Sequence, residues 1–311
     1  MNEFNCNLNW KSGLIRAFEW HSASLRCALA LVNDLVYIYS ADLKRPLYYI
    51  CCLKNTAQKR ISSMAWHPKR DDILAISSEH KILLWFLKSD LQNFKPDIQK
   101  CLQVIDLKIR SPITSIVFDY EGNTLIACSP RSSSLSVITF DWSIESKEKS
   151  YSVRRIRVAF TSPLTSLLWS PDKRRLLAHT TSKKIRIFEN FQWSSKYWTS
   201  NFSSFCQASC WSRPSGRILL FVQKDSSKIF ALTFYDKAEA NDVGGSPDKS
   251  VLLLDTTKSH FPDCSLGAKI QQIVWDRNST RLAVTFRGMF FCFFHKNRIF
   301  NFFYFLQISL E

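Results

Sequence analysis

Glycine is scarce in this chain, with seven in 311 residues, and that excludes collagen-like and glycine-rich low-complexity sequences. No glycine-rich phosphate loop ending in Lys-Ser or Lys-Thr, no Gly-x-Ser-x-Gly elbow and no His-Glu-x-x-His helix occurs, so the common nucleotide, nucleophile and zinc constellations are without support. No Cys-x-x-Cys pair is present; the ten cysteines are scattered from Cys6 to Cys292 without a framework spacing, and they read as structural thiols in a reducing compartment. The opening MNEFNCNLNWKSG lacks the apolar stretch of an export signal. The sequons at Asn201 and Asn278 are accordingly read as chance matches, and the protein is not expected to be secreted. Long hydrophobic runs are missing as well. Arg287, Lys296 and Arg298 interrupt the Phe-rich end, so no transmembrane segment is expected. Acidic residues are the last deficit: 26 Asp and Glu face 42 Lys and Arg, a formal charge of +16, which favours anionic partners without specifying a fold.

What is present is a hydrophobic chain that repeats itself. Hydrophobic residues make up 46% of it, enough at this length to bury roughly three quarters of the unfolded surface. A six-residue pattern, apolar-x-x-apolar-x-aromatic, occurs at IRAFEW (15–20), ISSMAW (61–66), ITSIVF (113–118), LTSLLW (164–169) and IQQIVW (270–275), with a weaker copy at CQASCW (206–211). The closing aromatics Trp20, Trp66, Phe118, Trp169, Trp211 and Trp275 lie 46, 52, 51, 42 and 64 residues apart, a little more than the roughly 40–45 of a four-stranded propeller blade. Each aromatic is followed by turn residues and then by a second apolar run, such as CALAL, ILAIS, TLIAC, LLAHT, ILLFV or LAVTF. A third run follows in five copies. Runs of four to seven residues rich in Val, Ile, Leu and Phe are strands, so the chain is all-β, a series of meanders.

Within the first strand the fourth and sixth residues share a face. Met64 with Trp66 is therefore bulky toward one neighbour, while Ser63 with Ala65, or Ala208 with Cys210, is slim toward the other. That shape predicts an innermost strand wedged between two blades with both faces buried, the propeller solution to open sheet edges. About six blades are recognisable, the last incomplete or atypical.

The Trp-Ser-Pro-Asp turn at 169–172 and the following LLAHTTSKKIRIF are similar to WD repeats. More narrowly, FEWHSASLRCALALVNDLVYIY (18–39), ISSMAWHPKRDDILAISSEHKILLW (61–85), PLTSLLWSPDKRRLLAHTTSKKIRIFENFQW (163–193) and CQASCWSRPSGRILLF (206–221) resemble the aladin family of WD-repeat nucleoporins, over about residues 14–286. The Gly-His dipeptide of ordinary WD repeats is absent, and the only Trp-Asp, Trp275-Asp276, closes a first strand. The resemblance implies a scaffold of the nuclear pore complex at the nuclear envelope that contributes to protein import and mRNA export through protein–protein contacts. Its implied partners are other nucleoporins, including a transmembrane nucleoporin of the pore membrane. A basic WD-repeat protein associating with RNA or DNA is the alternative, and a propeller enzyme a weaker one.

The expected domains are a short extension at 1–13, the propeller at 14–287 and a Phe-rich tail at 288–311. Eight of the 24 phenylalanines sit in that tail, where no copy of the repeat recurs. Met289–Phe294 is expected to serve as a third strand of the sixth blade, and the remainder is read as a retained intron or a truncated gene product. The 36 residues after Trp275 fall short of the mean spacing of 51, so no seventh blade is expected.

No catalytic, cofactor-binding or metal-binding residue is assigned, no cofactor is expected, and the partner-binding residues are unknown from sequence. His21, His67, His80, His179, His260 and His295 are isolated; His21 and His67 share the position after the strand-ending Trp, which indicates a turn role. From Lys147 to Arg186 eleven Lys or Arg face Glu148 and Asp172. Arg154, Arg155 and Arg157 read first as a solvated outer strand, then as a site for an acidic protein. Nucleic acid is not expected as a direct partner, because Phe160, Trp169 and Phe188 fall on core positions rather than among the exposed charges.

Overall fold

The computed structural model describes residues 14–41, 47–87, 102–132, 134–143, 150–157, 162–189, 193, 195–198, 203–234, 250–257, 269–276, 278–287 and 292–294. Among these there are strands and turns but no α-helix, and no helix long and apolar enough to cross a membrane. Twenty-three strands form six antiparallel sheets, each built from strands consecutive in sequence.

The chain divides into two compact units, residues 1–167 and 168–311. The first unit holds three complete sheets: β1–β4 (Ile15–Trp20, Arg26–Leu31, Val36–Ser40, Tyr48–Leu53), β5–β8 (Ile61–Trp66, Ile73–Ser78, Lys81–Phe86, Leu102–Asp106) and β9–β12 (Ser115–Phe118, Thr124–Cys128, Ser134–Asp141, Ser150–Arg157). The second holds β17–β20 (Cys206–Trp211, Ile218–Gln223, Lys228–Thr233, Val251–Asp255) and the three-stranded β21–β23 (Ile270–Trp275, Leu282–Phe286, Cys292–Phe294). The fourth sheet is β13–β16 (Leu164–Trp169, Arg175–Thr180, Ile185–Glu189, Ser195–Trp198); its first strand carries the unit boundary. Every copy of the repeat thus lies at the first strand of a sheet, and Cys292–Phe294 is the expected third strand of the sixth, with Phe293 opposite Ala283.

Sheets pack face to face through the residues that the two-residue alternation selects. In the first unit Met64 and Trp66 join Ala28, Ala30, Val36 and Ile38 of the preceding sheet. Ala65, on the other face of the same strand, joins Ile116, Phe118 and Leu125 of the following one. The second unit repeats this: Trp211 packs on Leu177, Ile185 and Ile187, and Ala208 with Cys210 meets Ile273 and Trp275. Two first strands depart from the expected burial on both faces: β21, where Val274 is 58% exposed, and β1. Phe18 and Trp20 of β1 are 47% and 48% exposed and stack edge-to-face on each other at 5.8 Å; on the opposite face Ala17 reaches a core.

Two local devices recur that the apolar pattern does not announce. Pairing of the first strand shifts register near its start in four sheets, between Ile15 and Ala17, Ile61 and Met64, Cys206 and Ala208, and Ile270 and Gln272, a bulge of the kind that bends and re-aims a strand. The turn after each closing aromatic is also pinned the same way. The backbone N–H of His21, His67, Asp119, Ser170, Ser212 and Asp276 donates to the carbonyl of Arg26, Ile73, Thr124, Arg175, Ile218 and Arg281. The side chain of that same residue then accepts a turn N–H: His21 Nδ1 from Ser24 (2.8 Å), His67 Nδ1 from Lys69 (3.2 Å), Asp119 from Thr124 (3.0 Å), Ser170 from Arg175 (3.0 Å), Ser212 from Ile218 (2.9 Å) and Asp276 from Arg281 (3.1 Å). Short polar side chains favour turns for this reason.

Candidate interaction surfaces

Of the six isolated histidines, His21, His67 and His179 are buried, His80 is half-buried, and His260 and His295 lie outside the described residues. His21 points from its turn to the carbonyl of His67, 3.0 Å from Nε2, with its ring edge-on to Trp66 at 5.8 Å. His67 lies between Phe118 and Trp142, 5.4 Å from each ring, and directly against Gly122. A Cβ there would fall 2.1 Å from the imidazole, and the φ of +79° also favours glycine. Burial, reinforced by the nearby Arg70 guanidinium, lowers the His67 pKa to about 4. The turn role expected for both histidines is the one the structure gives them.

His179 on β14 is the one that gains a partner invisible in sequence. Its Nε2 lies 2.8 Å from Ser209 Oγ and 3.9 Å from Cys206 Sγ, both on β17, and burial lowers its pKa to about 4. A serine bonded to a neutral histidine is two thirds of a nucleophilic triad. Here the pair lies in the interior between two sheets, where burial has raised the Cys206 thiol to about 12, so the cysteine stays protonated and poorly nucleophilic. The arrangement ties β14 to β17. Cys27, Cys51, Cys128, Cys206 and Cys210 are likewise free thiols with pKa values raised by burial to about 11 or 12. Among the described residues no group of three or more His, Cys, Asp or Glu is placed to hold a metal ion.

The basic residues divide by location. Arg154 and Arg155 lie exposed on β12, the outermost strand of its sheet, as expected, whereas the side chain of Arg157 lies outside the described residues. Arg175, counted with the surface charge in the sequence, is buried. Its guanidinium sits 3.4 Å from Asp172 and 4.9 Å from the centre of the Phe234 ring, which satisfies its charge inside the second unit.

Two open clefts each gather several cationic groups. In the second unit a cleft of about 420 Å³ is lined by Lys224, Lys269 and Arg287, but Asp225 in its wall already takes Arg287 at 3.4 Å and Lys269 at 3.7 Å. In the first unit a cleft of about 530 Å³ is lined by Lys108, Ile109, Arg110, Ser111, Ser129, Arg131, Ser132 and Arg155, with no carboxylate among them. The strand order brings these together: 108–111 link β8 to β9, 129–132 turn from β10 to β11, and Arg155 reaches in from β12. Sequence reasoning stressed Arg155 but passed over Lys108, Arg110 and Arg131, because they stand singly along 24 residues and only the fold gathers them.

With six meander sheets on the page, the comparisons with known proteins are decisive. A family described as the Aladin seven-bladed propeller matches residues 1–307. The chain belongs to that family. The match to the aladin-type propellers extends further at both ends than residues 14–287, where the repeat is legible. Seven blades are the family's description; six sheets lie within the described residues. Among solved structures, the Cps50 (Swd1) β-propeller domain of Myceliophteria thermophila is similar at 16% identity and a TM-score of 0.61, over 89% of this chain and 80% of that one. At that identity the likeness concerns the fold, an all-β propeller of WD type.

Proposed function

We propose that this aladin-type propeller is a non-catalytic scaffold of the nuclear pore complex, held at the nuclear envelope by contacts with other nucleoporins, a transmembrane one included, and contributing to protein import and mRNA export. The observation that carries the reading is the family match across residues 1–307. Physical features agree with a scaffold. Sheets that share cores of Ile, Leu, Val and Trp make a rigid framework, and the strong pKa shifts of His67, His179 and the thiols come from burial. Fold alone would not assign a role; the family supplies it.

Proximity labelling in cells with the full chain tests the proposal. Pore-membrane and other pore proteins should dominate the labelled set. A set dominated by ribonucleoproteins, together with steeply salt-dependent binding of the purified chain to bare RNA, would replace this reading with the nucleic-acid one.

A further inference from the structure

The cleft formed by Lys108–Ser111, Ser129–Ser132 and Arg155 has the composition of an anion site. Four cationic side chains, Lys108, Arg110, Arg131 and Arg155, stand around about 530 Å³ with no acidic residue among the described residues of the lining. Asp106, the acid nearest in sequence, is engaged in capping the turn, where it accepts the Lys108 N–H at 2.8 Å. Arg155 is fixed in place, since its Nη2 donates to the carbonyls of Leu107 at 2.9 Å and Lys108 at 3.1 Å. Lys108 itself holds a left-handed φ of +50°, so this linker takes up a sharply bent backbone at the rim of the cleft.

The floor supplies the second, independent observation. Ser111 is 4% exposed, and its hydroxyl is enclosed without a hydrogen-bond partner in the structure. A buried hydroxyl without a partner costs roughly 1–3 kcal/mol, and native proteins rarely leave one so. Beside it, Ser129 Oγ donates to the Ser111 carbonyl at 3.2 Å, and Ser132 Oγ lies 3.0 Å from Ser134 Oγ. The free Ser111 hydroxyl at the base and the cationic groups at the rim match a compact oxyanion, which accepts several charge-assisted hydrogen bonds at once.

We propose that this cleft binds the phosphate of a phosphoserine- or phosphothreonine-bearing segment of a protein partner. Two features favour a phosphate monoester over a nucleic-acid backbone. The described lining contains no aromatic residue and so offers no platform on which bases could stack, and the cations surround one pocket rather than a groove that tracks a polymer. A monoester also carries close to two negative charges at neutral pH, more than any carboxylate side chain. The site goes beyond the scaffold reading and can be tested on the purified chain, wherever the protein resides in the cell.

The test is fluorescence anisotropy of the full chain with a labelled hexapeptide of glycine and serine carrying one phosphoserine. Arg110→Gln and Arg131→Gln remove exposed cations for which no ion pair is found among the described residues, so unchanged melting curves are expected for both; Ser111→Ala removes the unpartnered hydroxyl and should leave the melting temperature the same or higher. Each arginine variant should weaken binding about tenfold and the serine variant about threefold, as expected for charge-assisted and neutral hydrogen bonds, and inorganic phosphate should compete. Arg154→Gln, on the same outer strand but outside the cleft, should leave affinity within about twofold, because a distant exposed charge is screened. Equal binding of the unphosphorylated or Glu-substituted peptide would overturn the proposal, as would equal weakening by Arg154→Gln. A single-stranded RNA dodecamer that binds more tightly than the phosphopeptide, with the same dependence on Arg110 and Arg131, would overturn it in favour of nucleic acid.

Discussion

The first and second sheets begin with the same motif and arrive at opposite environments. IRAFEW and ISSMAW are both six-residue first strands ending in Trp, followed by a histidine that pins the next turn. Trp66 is 6% exposed and lies in a core shared by two sheets, where its indole N–H also reaches the Glu19 carbonyl at 3.2 Å. Trp20 is half exposed. The motif therefore specifies a strand and the side on which it is bulky, but burial depends on whether another sheet stands opposite. A hydrophobic pattern records what a face is suited to bury, which is not the same as what it does bury.

The widest separation between the two strands is expected from truncating their tryptophans. Trp66→Ala should destabilise the chain by about 3–5 kcal/mol, the usual cost of removing a large aromatic from a packed core, while Trp20→Ala should cost about 1–2 kcal/mol, since half of its surface is already exposed. Urea denaturation of both variants measures this. Similar losses in the two would mean that the flank of β1 is covered in solution.

Acid should act on the covered interior next. The His179 pKa lies near 4 in the folded chain and near 6.5 when unfolded. Between those values the unfolded chain holds a proton that the native one does not, so stability is unaffected above about pH 6.5, falls as pH drops toward 4, and levels off below. The loss for this single buried group amounts to about 3 kcal/mol. Denaturation of the wild type and His179→Gln at pH 7 and pH 4 should show the smaller loss in the variant.

The smallest effect concerns hydrogen bonds at the two strands' ends. Ser63 Oγ on β5 accepts the Ile116 N–H of the next sheet at 3.3 Å, and Ser63→Ala should cost about 1 kcal/mol. Ser22, after β1, makes only an exposed bond to the Pro68 carbonyl, and its alanine variant should stay within about 0.5 kcal/mol. Differential scanning calorimetry of the pair resolves the comparison.

Much of the fold was legible because period-two alternation and turn chemistry are local. Met64 with Trp66 and Ser63 with Ala65 announced their faces, and Arg154 announced an outer strand. The six turn-pinning residues were only partly legible: two histidines stood out, whereas Asp119, Ser170, Ser212 and Asp276 do the same work with different chemistry. The bulges near the start of β5 and β17 left no trace in composition. The anion cleft was the least visible feature, since Lys108, Arg110 and Arg131 are unremarkable one at a time and Ser111 becomes informative only once its hydroxyl is seen enclosed.

By itself the sequence determined that this chain makes repeated β-meanders whose first strands carry one bulky and one slim face, because a strand's side-chain alternation and its turns depend on neighbours a few residues away. Tertiary structure alone decided which copies of that strand are buried, which histidine meets Ser209, and that four scattered cations share a cleft with a serine floor. Those outcomes rest on contacts between segments distant along the chain, and such contacts exist only after the sheets have packed.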